Sequence, residues 1–307
     1  MNAELNIHTT ASGRFLIEAF RLDEDGIEIP GSRRVAAKWF PNLITDNGLN
    51  RMGSASDYLG NCMVGSGSTA PANTDTTLQS QVATTAAIQT ETNGNNASPR
   101  YGWRRKTFRF AAGVAAGNLS EVGVGYSTTA VFSRALIVDG GGSPTTITVL
   151  ADEVLDVTYE LRFYISEADV AFNVDISAVT YACVVRPANI TEGIGTQVGD
   201  AISVNSVNRA NGIKAYETQT LGAVSGEPAG TAFDVSYTNS AYTAGTFYRT
   251  TVATAALNQG NTATGIGSMR IDNTFCDWQV RFTPKIPKDA TKVLTLNVRS
   301  SWGRHVP

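Results

Sequence analysis

From Leu155 to Ile165 the chain alternates without a break: Leu155, Val157, Tyr159, Leu161, Phe163 and Ile165 are apolar, with Asp156, Thr158, Glu160, Arg162 and Tyr164 between them. Successive side chains of a strand point to opposite faces, so this period of two describes a strand with one packed face and one wet face. Cys276, Trp278, Val280 and Phe282 repeat the pattern, and Arg162 and Arg281 each stand between packed neighbours in the two runs. The rest of the chain reads as shorter strands separated by turn residues. The fold class expected is all-β, an antiparallel β-sandwich architecture with long Gly/Thr/Asn-rich loops and at most one or two short helices.

Strands are expected at Phe15–Leu22, Ile27–Pro30, Val35–Phe40, Arg100–Phe110, Glu121–Tyr126, Val131–Val138, Ile147–Leu150, Val170–Ile176, Val179–Arg186, Phe233–Tyr237, Thr246–Val252, Phe275–Phe282 and Lys292–Arg299. Asp23, Glu24, Asp25 and Gly26 form a hairpin tip between the first two, since no carboxylate follows at the position a calcium loop requires. One helix is expected within Asn42–Leu59, with Asp46 as its cap and Gly48 and Gly53 weakening it. Gly60–Pro99 has no sustained periodicity and reads as a long loop held by a partner. These readings divide the chain into a β-sandwich domain over 1–186 carrying that contact loop (60–99), and a second β-rich region over 187–307. The latter is either a separate domain or an insertion (187–270) closed by strands 275–282 and 292–299 returning to the main sheet.

Chemistry-bearing residues are sparse. The two histidines, His8 and His305, lie near the ends, so neither the G-x-S-x-G near misses at Gly65–Ser68 and Gly141–Ser143 nor a zinc site has an interior imidazole to serve it. Gly193, Gly195 and Gly199 are spaced one residue too long for a dinucleotide fingerprint. Cys62, Cys183 and Cys276 show neither metal nor disulfide spacing. Carboxylate pairs need no histidine, but Asp152, Glu153 and Asp156 look like turn residues, and nothing links Asp234 to Asp277. No catalytic, cofactor-binding or metal-ligating residue is assigned, no cofactor is implied, and the chain is not read as an enzyme.

A net charge of −3 argues against nucleic-acid binding, although Arg100, Arg104, Arg105, Lys106 and Arg109 interleave with Tyr101, Trp103, Phe108 and Phe110. The plainer reading of that stretch is a strand whose charges meet carboxylates across a sheet. Met1–Thr10 lacks the basic start and apolar core of a secretion signal, and no apolar run approaches the roughly 18 residues of a membrane span, so no membrane insertion is expected. Only 17 % of residues are charged. A neutral polar surface costs little to desolvate and suits subunit packing.

Several segments together resemble a group of tailed-bacteriophage and prophage virion proteins: Asn42, Leu43, Ile44 and Thr45 with Gly48 and Leu49; Val64, Gly65, Gly67, Thr69, Ala70, Pro71 and Ala72; Glu121, Val122, Gly123, Val124 and Gly125; Phe132 to Ile137; and Pro144 to Tyr164. The resemblance covers residues 35 to 186. It implies a non-enzymatic structural component of the virion, associated with the tail, tail fibre or baseplate and assembled in the host bacterial cytoplasm. Its partners would be copies of itself in a ring or trimer and other phage tail proteins. The alternatives are a carbohydrate-binding adhesin at the tail tip, recognising a host surface glycan through Tyr216, Tyr237, Tyr242, Phe247 and Tyr248, and a head-decoration or neck protein.

Overall fold

The computed structural model describes residues 4–54, 58–190, 212–273 and 275–306, and the glycine series at Gly193, Gly195 and Gly199 lies outside them. The chain is all-β with one short helix. In chain order it forms β1 (Glu4–Arg21), β2 (Arg34–Pro41), β3 (Leu43–Ile44), α1 (Asp46–Ser54), β4 (Asn61–Gly65), β5 (Gln81–Thr85), β6 (Ile88–Ala97), β7 (Arg100–Phe110) and β8 (Gly117–Leu119). It continues through β9 (Glu121–Gly125), β10 (Val131–Leu136), β11 (Ile147–Val149), β12 (Glu153–Tyr164), β13 (Val170–Ile176) and β14 (Val179–Ala188). The last six are β15 (Ile213–Tyr216), β16 (Ala232–Asn239), β17 (Tyr248–Ala255), β18 (Ile266–Ile271), β19 (Asp277–Ile286) and β20 (Leu294–Arg304).

Two compact units divide these elements: Met1–Thr10, Gly94–Gly102 and Tyr164–Gly303 form one, and Ala11–Asn93, Trp103–Phe163 and Arg304–Pro307 the other. The division follows contacts between strands distant in sequence and has no edge at 186, because the β13–β14 hairpin pairs with β19.

The unit holding most of residues 11–163 is a two-layer sandwich. One layer runs β2-β1-β12-β7-β6 and the other β3-β10-β9-β4-β5. Phe15, Phe40 and Tyr159 pack together between them, the Phe15 and Tyr159 ring centres lying 4.8 Å apart. Tyr159 also meets Ser133 of β10 and accepts a bond from Asn42 Nδ2 at 3.2 Å. From the opposite strand Lys106, buried, donates to the Leu59 carbonyl at 3.1 Å. Phe108, Val157, Leu161, Val122 and Phe132 complete an apolar interior from which water is excluded.

Helix α1 lies against β10. Its cap is Thr45 rather than Asp46: the Thr45 hydroxyl accepts the Gly48 N–H at 3.0 Å, leaving Asp46 in the first turn to take Arg304 at 2.6 Å. Gly48, which lowers helix propensity, is there for fit, since a Cβ would collide with the Phe132 carbonyl. Arg304 also donates to the Ile44 carbonyl, and the His305 N–H to the Ala11 carbonyl at 2.7 Å, so residues 304–305 close the sandwich.

Gly60–Pro99 is not a structureless loop. It supplies β4, a central strand with Cys62, Met63 and Val64 fully buried, then β5 and β6. Ile27–Pro30 forms a single bridge, Glu28 to Leu22, inside the hairpin tip rather than a strand.

In the other unit the strand order is β13-β14-β19-β18-β15-β16-β17-β20, and every pairing recorded along β13 to β20 is antiparallel. Cys183 opposite Phe282 and Val185 opposite Val280 set the apolar face, which continues through Met269, Ile271, Ile213, Ala215 and Val235. Gln279, fully buried, donates to the carbonyls of Pro187, Gly222 and Ala223 and accepts the Gly222 N–H, tying the 222–223 loop to the sheet.

The β13–β14 connection is a two-residue turn in which Ser177 and Ala178 have φ of +49° and +64°. That turn follows the strand twist but requires left-handed backbone, which costs an L side chain about 1 kcal/mol per residue relative to glycine. Ala178→Gly is therefore expected to raise the thermal unfolding midpoint by a few degrees, read by calorimetry; an unchanged or lower midpoint would contradict the strain.

Candidate functional site

The expected basic stretch on β7 folds into two sets of side chains. Phe108 and Phe110 point into the core and stack on nothing exposed, while Lys106 is buried beside them. Arg104 pairs with Glu91, and Arg100 with Glu167 at 2.9 Å. Tyr101 packs on Tyr164. Arg105 and Arg109 point to the outer face of the β2-β1-β12-β7 layer, where the polar half of the long alternating strand also lies.

That outer face is the most concentrated chemistry in the described chain, and it is not the wet face expected for β12. Asp156 and Glu160 are 4 % and 1 % exposed, because arginines from the flanking strands fold over them. Arg109 holds Asp156 through Nε and Nη2, both at 2.8 Å. Arg33 bridges Glu28, Glu18 and Asp156. Arg34 holds Glu153 at 2.8 Å and donates to the Thr148 carbonyl. Glu160 receives three guanidinium groups: Arg14 Nε at 2.9 Å, Arg162 Nε at 2.6 Å and Arg105 Nε at 2.9 Å. The planar cations also lie over rings, Arg14 over Trp39 at 4.3 Å, Arg105 over Trp103 at 4.8 Å, and Arg33 over Phe20 at 4.0 Å. Fork-shaped donors matched to carboxylates and stacked on aromatic faces are what arginine does and lysine cannot.

The pairing sets the protonation states. Burial opposes the charged form of Glu160, and the bonds from Arg14, Arg105 and Arg162 more than offset it, holding its pKa below the usual carboxylate range. The Arg34 bond does the same for Glu153 against a smaller burial cost. Arg33 is raised by its bond to Glu28.

A second polar cluster is sealed inside the five-stranded layer. Glu121, 0 % exposed, accepts the N–H groups of Gly67 at 3.0 Å, Gln79 at 3.1 Å and Ser80 at 2.7 Å, together with Arg134 Nε at 2.9 Å. Arg134, itself buried, takes Asp75 at 2.5 Å and donates to the Thr69 carbonyl at 2.8 Å. One ion pair thus pins residues 67 to 80 over Met63, Leu78 and Val131. Gly67 has no side chain because a Cβ there would strike the Glu121 carboxylate.

The remaining candidates are scattered. Asp152 pairs with Arg21, so Asp152, Glu153 and Asp156 each face a different arginine. Asp234 is exposed on β16 with Lys214, and Asp277 is buried on β19; two strands intervene, which at about 4.8 Å per strand puts them some 14 Å apart, too far for a glycosidase pair. His8 Nδ1 meets Ser301 Oγ at 2.8 Å, a juxtaposition the sequence did not suggest, but that hydroxyl donates to the Ile7 carbonyl and is not activated as a nucleophile. Cys62, Cys183 and Cys276 are buried, and burial pushes the Cys183 thiol up to about 12. Among the described residues no group of His, Cys, Asp and Glu is arranged to hold a metal.

Of the aromatic side chains named for sugar stacking, Tyr237, Tyr242, Phe247 and Tyr248 are half-buried. Tyr216 is buried rather than exposed, its phenol pushed up to about 12 by burial and by the charge of Glu227. Tyr242 packs on Trp302, and Tyr248 lies under Arg299 at 3.5 Å.

No protein-family model, curated protein or solved structure matches the chain.

Two outcomes follow. Groups with depressed folded-state pKa contribute stability that is full above the unfolded value and lost as pH falls through the folded one, so stability should fall from about pH 4 downward. Glu160→Gln should lower the unfolding midpoint at pH 7 and make the acid-side fall shallower, measured by thermal melts between neutral and acidic pH; an unaltered fall would show that Glu160 is not the group responsible. Glu121→Gln removes the fully buried one of the two carboxylates that hold Arg134, leaving Asp75, and should cost about 3 kcal/mol in urea unfolding, with new protease cleavage between 67 and 80; a variant as stable and as resistant as wild type would refute the clamp.

Proposed function

We propose that the chain is a non-enzymatic structural component of a bacteriophage virion, tail, tail-fibre or baseplate associated, working as a symmetric homo-oligomer. The observation that carries this reading is β6. None of its ten residues is buried, and the strand order ends on it, leaving one row of backbone N–H and C=O groups with no strand of the described residues beside it. An exposed edge of that length is a template for pairing with another chain. Its side chains, Gln89, Thr90, Glu91, Thr92, Asn93, Asn95 and Asn96, are polar, which suits an edge that meets water before it meets a partner.

The phage part of the reading rests on the sequence resemblance, and the fold supplies a physical reason to weigh it. The residues that carry the resemblance are not strewn over the surface: Asn42 to Leu49 make β3 and α1, Val64 to Ala72 end β4 and enter the clamped loop, and Glu121 to Gly125 and Phe132 to Ile137 make β9 and β10. They pack as one layer, under β12 from the Pro144–Tyr164 segment. The arginine face speaks for a scaffold as well, since its carboxylates are consumed by internal pairs and none is presented to a substrate.

The test is location. An antibody against the chain should label one fixed station on intact phage particles, and the purified protein should sediment as a closed oligomer. A protein that never pellets with particles and stays monomeric at tens of micromolar would end the reading. The adhesin alternative makes a different forecast, saturable block of host adsorption by the free protein.

A further inference from the structure

The Arg14–Arg105 end of the arginine face and the outer carboxylates of the β1–β2 tip are complementary to each other, and one molecule cannot bring its own two together; only Glu28, at the base of the tip, pairs within the chain, with Arg33. Arg14 and Arg105 each give Nε and Nη2 to Glu160 and keep Nη1 unbonded among the described residues; they are 32 % and 37 % exposed, beside the half-buried Trp39 and Trp103. Because Arg14 and Arg105 share the single Glu160 carboxylate, the spot is cationic as well as aromatic. At the tip, Asp23 spends its carboxylate on the N–H groups of Asp25 and Ile27, while the Glu24 and Asp25 carboxylates are exposed and bond nothing among the described residues. Ile27 and Ile29 next to them are 64 % and 39 % exposed, apolar area that a folded chain ordinarily covers. β1 carries Arg14 and runs into the tip, and the seven steps from Arg14 to Arg21 alone span about 23 Å at about 3.3 Å each, so the Glu24 and Asp25 carboxylates stand well beyond reach of their own Arg14 and of Arg105, which shares Glu160 with it.

We propose that the Asp23–Ile29 tip of one copy docks on the Arg14, Arg105, Trp39 and Trp103 face of a second copy. Glu24 and Asp25 take the open guanidinium donors, and Ile27 covers indole surface. The contact is head to tail, two different patches meeting, which generates a ring when the rotation closes. This rests on the homo-oligomer reading above and adds which surfaces meet.

The experiment is sedimentation equilibrium of the full chain at about 50 mM and about 500 mM salt, comparing wild type with the E24K/D25K variant, whose changes fall on exposed turn side chains, and with R105Q, which leaves Arg14 and Arg162 on Glu160. Wild type should assemble, with the dissociation constant rising at least about tenfold at high salt as the charges are screened. E24K/D25K and R105Q should each weaken assembly at low salt by at least about tenfold while keeping the wild-type circular dichroism. Wild type and E24K/D25K assembling equally would overturn the docking and leave the oligomer reading standing; wild type monomeric at both salts would overturn both. A single-stranded oligonucleotide that binds the wild-type face and not R105Q would overturn it in favour of a nucleic-acid ligand.

Discussion

Glu121 is the group on which the five-stranded layer depends. A carboxylate with no exposed surface is tolerable only when each lone pair is satisfied, and here three backbone N–H groups and one guanidinium do so. The arrangement holds the otherwise featureless stretch between β4 and β5 in one conformation, and it also forbids side chains at Gly65 and Gly67, whose backbones must approach it. Gln279 does the same work in the other unit, with an amide in place of an ion pair and residues 222–223 in place of 67–80. In both, a polar side chain at the centre of a sheet replaces the periodic hydrogen bonding that a loop cannot make for itself.

The outer arginine face solves a related problem by different means. A strand as long as β12 has a polar half that, left wet, would contribute only solvated charges. Folding six guanidinium groups over Glu153, Asp156 and Glu160 turns that half into a second buried surface, with Phe20, Trp39 and Trp103 as flat supports for the cations. Losing one partner of such a pair costs little at a surface and more where the carboxylate is dry and its partner would be left uncompensated, so substitutions at the buried members, Glu160 above all, are the ones that tell.

The strand at Leu155–Ile165 was legible because strict alternation admits one interpretation, and Arg100–Phe110 and the Val170–Arg186 hairpin were legible for the same reason. What alternation does not tell is how the polar face is covered: Arg14 on β1, Arg34 on β2 and Arg33 just before β2 lie more than a hundred residues away in the chain. The segment from Gly60 to Pro99 misled because β4 is only five residues with glycine at its end, and because β5 and β6 are built from Thr, Gln and Asn, residues that also make loops. Glu121 carried no local signal, lying in a short run of Gly and Val. The hairpin tip at Asp23–Gly26 was visible from turn chemistry alone, since Asp and Gly there do locally what the sequence says they do.

Residues 304 and 305 close a sandwich whose first strand begins to contribute at residue 11. Contacts of such separation are slow to form, and they cannot form on a nascent polypeptide until nearly three hundred codons later. A truncated product, lacking the arginine that reaches Ile44 and Asp46, would therefore leave the ribosome with an unsealed layer and α1 held by β10 alone. Synthesis has to run through these closing residues before the sandwich can take its sealed shape.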